Sequence, residues 1–85
     1  MQFFRALKFK KQYKKLPQQI KETTQKQLDL LLLNPKRPSL NLKKMRGTVD
    51  IWECRVTDSY RFTFQVAQDY YILRKIGTHN ILKNP

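Results

Sequence analysis

The stretch Tyr60-Arg61-Phe62-Thr63-Phe64-Gln65-Val66 decides the fold. Strand side chains alternate between faces, so Phe62, Phe64 and Val66 share one side while Arg61, Thr63 and Gln65 share the other. One face is apolar and has to be buried, and the opposite face carries an arginine. Asp58-Ser59 precedes the run and Gln68-Asp69 follows it, each with the composition of a tight turn. Residues 50–57 and 70–76 on either side are rich in β-branched and aromatic side chains. The expectation is a three-strand antiparallel meander with one apolar face.

That face needs a cover, and the upstream sequence supplies one. Phe9, Tyr13 and Leu16 fall at i, i+4 and i+7 of a short helix whose other positions include Lys8, Lys10, Lys11, Lys14 and Lys15. Leu16-Pro17 ends it, and the proline suits the first turn of a second helix. This second helix directs Ile20, Thr24, Leu28, Leu31 and Leu32 inward and stops at Asn34-Pro35. Residues 3–7 read as a short strand. Residues 34–46 form a proline-containing basic linker, closed by Gly47. The fold class expected is α+β, with an N-terminal strand and helical hairpin packed on a mostly antiparallel sheet that ends in the three-strand meander.

With 85 residues, 40% of them hydrophobic, one domain spanning 1–85 is expected, because two halves could not each bury a core. The longest apolar run, 28–33, is interrupted by Asp29 and is too short for a membrane span. No apolar segment with a small-residue cleavage site follows Met1, so a cytoplasmic location is expected. A lone Cys54 allows no internal disulfide, and one histidine with six acids argues against a metal centre. No cofactor is expected. The informative quantity is charge: 18 basic residues against six acidic ones give +12. Residues 1–49 hold 13 Lys/Arg and two acids, a balance of +11, whereas residues 50–85 hold five and four, a balance of +1. Such a field draws in polyanions, either nucleic acid or an acidic protein segment.

The elements also carry recurrent local wording: a lysine-rich Phe9-to-Leu16-Pro17 helix, Asn34-Pro35, Lys44-Met45-Arg46-Gly47, Tyr60-Arg61 and Gly77-Thr78-His79. In this order, over nearly the whole chain, they resemble the RelE/ParE superfamily of type II toxin–antitoxin toxins. The resemblance implies a RelE-like fold and a metal-independent endoribonuclease that cuts messenger RNA on the ribosome and so inhibits translation. Alternatives within the family are a ParE-like inhibitor of DNA gyrase and a non-catalytic RNA- or ribosome-binding member. The implied partners are messenger RNA, the ribosome and a cognate antitoxin with an acidic or amphipathic segment, and no membrane. The chemistry suits the composition. RNA brings its own nucleophile, the 2′-hydroxyl, and cleavage then needs a base, an acid and cations over the phosphate.

Arg61 stands where the resemblance implies a grip on the scissile phosphate; the alternative is a surface arginine pairing Glu53 or Asp58. His79, the side chain whose ordinary titration lies nearest neutrality, follows the last strand where several family nucleases place a catalytic histidine. Its alternative role is a bond to a nearby carbonyl. Glu53 shares a strand face with Arg55 and is either a general base or a solvated strand residue. Lys43, Lys44 and Arg46, with Arg55, are expected to contact the RNA backbone, and otherwise form a solvated surface. The sequence also departs from the family. A lysine pair used by one RelE branch aligns with Trp52 and Cys54, and no aromatic follows His79. Either Tyr70 or Tyr71 stands in for that aromatic, or the site is weak.

Overall fold

In a computed structural model describing all 85 residues, the chain forms β1 (Gln2–Arg5), α1 (Leu7–Lys14), α2 (Gln18–Leu33), β2 (Lys43–Lys44), β3 (Ile51–Arg55), β4 (Tyr60–Val66) and β5 (Tyr70–Thr78). Short 3-10 turns cover Pro38–Leu40 and His79–Lys83. The sheet runs β1-β5-β4-β3-β2, with β1 parallel to β5 and every other pair antiparallel. The expected meander is therefore its centre: the helical hairpin carries the chain across one face from β1 to β2 at the opposite edge, and the meander returns β5 beside β1. Phe9, Leu28, Leu31, Cys54, Phe62, Phe64, Leu73 and Ile76 are buried between the helices and one sheet face. Gln12 ties the layers together: its side-chain oxygen accepts from the Ile76 N–H at 2.9 Å. No helix is long and apolar enough to cross a membrane.

Three expectations need correction. Leu32 is exposed rather than buried, and Gln27 occupies the inward stripe with Thr24, Leu28 and Leu31. A polar side chain is tolerated there because its amide donates to the Ser39 and Arg55 carbonyls at 3.0 and 2.7 Å. Leu16 lies beyond the last residue of α1, although it still packs on the core. The basic linker is partly ordered: Leu40 is fully buried, and Lys43–Lys44 pair with β3 as an edge strand. A two-residue lysine strand has neither alternation nor β propensity to announce it.

A bulge between β4 and β5 shapes the face away from the helices. Thr63 pairs with Lys75 but Phe64 pairs with Leu73, so Arg74 is the extra residue. Because of it, Leu73 and Ile76 both reach the core although three positions apart, and Arg74 and Lys75 are both left for the other face.

Candidate nucleic-acid interface on the open sheet face

The helices cover only one side of the sheet, and the register assembles the other. Lys43, Glu53, Thr63 and Lys75 lie opposite one another in a row across β2, β3, β4 and β5. The next row on that face is Arg55, Arg61 and Gly77, two residues further along, or about 7 Å away. His79 follows Thr78, whose backbone is extended, just past the end of β5. Glu53 is thus on a diagonal of Arg61, and His79 begins the 3-10 turn past the strand end on the other side of the arginine row. Gly77, in the arginine row, lies beneath Ile81, whose Cγ2 would be 3.0 Å from a Cβ placed there. The segment after His79 therefore folds back over this face and forms one wall of the site.

The electrostatics single out two residues. The ion pairs are Arg55 with Asp58 and Lys44 with Asp50, the latter at 3.7 Å. Arg61 belongs to neither, so the expected alternative of a pair with Glu53 or Asp58 is not what forms. It lies half-buried directly opposite Arg55, whose charge Asp58 offsets. Glu53 is the larger surprise. Rather than being solvated, its side chain is 8% exposed, and Oε2 has no hydrogen-bond partner. A buried carboxylate oxygen without a partner is costly, and such groups concentrate where they are used chemically.

Other expected site residues divide. Lys43 is exposed on the open face opposite Glu53, whereas Lys44 lies opposite Trp52, on the helix side. The three linker cations therefore do not converge, and Arg46 is a solvent-exposed turn residue. Tyr71 is buried, 5.2 Å from Phe64 between ring centres, and Tyr70 lies at the end of β5 remote from His79. Neither tyrosine replaces the family aromatic. Trp52 packs against the core beside Phe64, and Cys54 is fully buried. The residues missed by sequence reading are Arg74 and Lys75, which alternation alone would have split between two faces.

Burial, with the Glu53 charge adding to it, pushes the Cys54 thiol up from 9.0 to about 12. The thiolate is the reactive form, so native Cys54 is expected to resist iodoacetamide at pH 8 by at least roughly 100-fold relative to the urea-unfolded chain. Labelling followed by mass spectrometry checks this. Equal rates would mean that the thiol is open to solvent.

Among solved structures, the chain is similar to a YoeB/ParE toxin from Agrobacterium tumefaciens, at 15% identity and a TM-score of 0.80, covering 93% of this chain and 99% of that one. It is also similar to the intact RelBE toxin–antitoxin complex of E. coli, at 23% identity and 0.73, covering 89% and 93%. An archaeal RelE–RelB complex from Pyrococcus horikoshii OT3 matches at 21% identity and 0.74, covering 91% and 92%. No protein-family model matches the chain, and no curated protein matches it in sequence. Two helices on a five-stranded mixed sheet, with these neighbours over nearly the whole length, give the chain the RelE-like toxin fold.

Proposed function

We propose that the chain is the toxin of a type II toxin–antitoxin system and an endoribonuclease acting on ribosome-bound messenger RNA at the open sheet face. The observation that carries this reading is the placement of Glu53, a buried carboxylate with an unpartnered oxygen, diagonally beside an arginine free of ion pairs. Arg61 holds the non-bridging oxygens of the scissile phosphate. Glu53 takes the proton of the 2′-hydroxyl, and the 2′-oxygen forms a bond to phosphorus. The bond from phosphorus to the 5′-oxygen breaks, and the His79 imidazolium protonates the leaving oxygen. The products are a 2′,3′-cyclic phosphate and a 5′-hydroxyl. The burial of Glu53 is the reason for giving it the role of base and His79 that of acid. General acid and base groups placed in this way each contribute roughly 10²–10⁴-fold.

Charge distribution supports the ribosome as the setting. Lys8, Lys10, Lys11, Lys14 and Lys15 are all exposed around α1, on the side of the molecule opposite the open face. One basic surface can rest on ribosomal RNA while the other takes the transcript. The antitoxin reading rests on the same cations together with exposed apolar groups at the β1 edge, where Phe4 and Tyr70 line an open pocket. An acidic, amphipathic segment would match both.

Induced expression in cells, followed by transcript-end mapping and a plasmid supercoiling assay, tests the reading. New transcript ends with unchanged supercoiling are expected. Altered supercoiling without new ends would favour a gyrase inhibitor, and neither effect would favour a non-catalytic binder. A further expectation separates the linker lysines. Lys43→Glu should weaken RNA binding and reduce the salt slope by about one, because this side chain is on the open face. Lys44→Glu should change it less. Equal effects in a salt titration would place the RNA on both sides of β2.

A further inference from the structure

The open face holds a group of donors that the proposed chemistry does not use. Thr63, fully buried in the middle strand, donates its hydroxyl to the main-chain oxygen of Pro85 at 3.1 Å. Arg74 Nε donates to the same oxygen at 3.0 Å, and its Nη1 reaches Gln65 Oε1 at 3.4 Å. Lys75 Nζ donates to the main-chain oxygen of the preceding residue, Asn84. Two cations and a buried hydroxyl thus converge on two successive backbone oxygens. The bulge is what makes this possible, since it leaves consecutive residues Arg74 and Lys75 on one face.

We propose that Thr63, Arg74 and Lys75 form an anion cradle for an RNA phosphate adjacent to the one held by Arg61, and that residues 84–85 are its displaceable occupant. The proposal rests on the RNA-cleaving reading and extends it to substrate positioning and self-occlusion. Spacing supports it: the row containing Thr63 and Lys75 is about 7 Å from the arginine row, close to one backbone step of a single strand. Chemistry supports it too. A phosphodiester presents two free anionic oxygens to a guanidinium and an ammonium, so a phosphate competes for these donors. Asn84 and Pro85 lie outside regular structure, beyond a single 3-10 turn whose Ile81 rests on Gly77. When the tail lifts, it uncovers donors already aimed at the strand. While it stays, the apparent affinity is reduced by the fraction of molecules that are closed.

The test uses the full chain and a short single-stranded RNA carrying 2′-O-methyl groups, which binds without being cut, with anisotropy read over a salt series. Ile81→Ser, which loosens the tail without touching the cradle or adding charge to the wall of the site, should tighten binding by roughly three- to tenfold. Arg74→Gln/Lys75→Gln should weaken it by about tenfold and flatten the salt slope by about one. Added to that double variant, Ile81→Ser should no longer tighten binding, because a cradle without its cations has nothing to uncover. Lys75→Gln alone, a change at an exposed amine, covers the case in which the double variant fails to fold. If the cradle variants bind as the native chain does while Arg61→Ala binds less, the cradle is wrong and the RNA reading survives. If no form binds RNA even at low salt, the cradle fails, while the cleavage reading is decided separately by transcript ends in cells and on ribosomes.

Discussion

Arg61→Ala is expected to lower the single-turnover rate of transcript cleavage on ribosomes by about 10²–10³-fold, the usual effect of removing one donor from a developing anion. The same substitution should leave thermal stability nearly unchanged. Arg61 makes no ion pair and stands directly across the ladder from Arg55, so truncation relieves a like-charge contact rather than breaking a bridge. Arg61→Lys should recover part of the rate, since an ammonium supplies charge without the planar fork that grips two phosphate oxygens. A rate within threefold of native for the alanine variant would remove Arg61 from the phosphate. A large drop in melting temperature would make it a structural residue instead.

Glu53→Gln should be comparably severe for catalysis, with a loss of roughly 10²–10⁴-fold, and unlike most core changes it should not lower the urea midpoint. Glutamine preserves the volume in a site that is 8% exposed and removes a charge whose Oε2 has no partner. Losing an uncompensated buried carboxylate is at worst neutral for folding. The pairing of lost activity with retained stability is the signature to look for, and equilibrium unfolding beside the cleavage assay supplies both. If Glu53→Gln cuts at the native rate while His79→Ala does not, the 2′-hydroxyl proton goes to His79. A lowered midpoint with normal cleavage would make Glu53 part of the scaffold.

Much of the architecture was legible because it rests on periodicity. Phe62 and Phe64, two positions apart between turn-forming pairs, suffice to define the meander and its buried side. The i, i+4 spacing of Phe9 and Tyr13 defines the cover. What escaped were features set by tertiary partners. Gln27 reads as a surface residue until the Ser39 and Arg55 carbonyls are placed beside it. Lys43 and Lys44 read as linker until β3 gives them a strand to join.

The site was legible in part. Arg61, Glu53 and His79 stood out by residue type and by resemblance; the register puts Arg61 and Glu53 on the open face, and His79 follows the end of β5. The burial of Glu53 was not legible, because alternation assigns a face but not what lies over it. Arg74 and Lys75 were invisible as a pair, since a bulge changes the phase of alternation at one residue and leaves no mark in composition. The return of residues 84–85 onto the sheet was equally hidden. It depends on Gly77 leaving room for Ile81, a contact between positions whose local sequence is unremarkable.

The most direct measurement of the central claim is the chemistry of the cut ends. Purified protein would be added to translating ribosomes carrying a defined messenger RNA, with Arg61→Ala in parallel, and the fragment termini identified by enzymatic end-labelling and mass spectrometry. Attack by the 2′-hydroxyl predicts upstream fragments ending in a 2′,3′-cyclic phosphate and downstream fragments starting with a 5′-hydroxyl, both formed far more slowly with Arg61→Ala. Intact transcripts, or fragments bearing a 5′-phosphate, would contradict it.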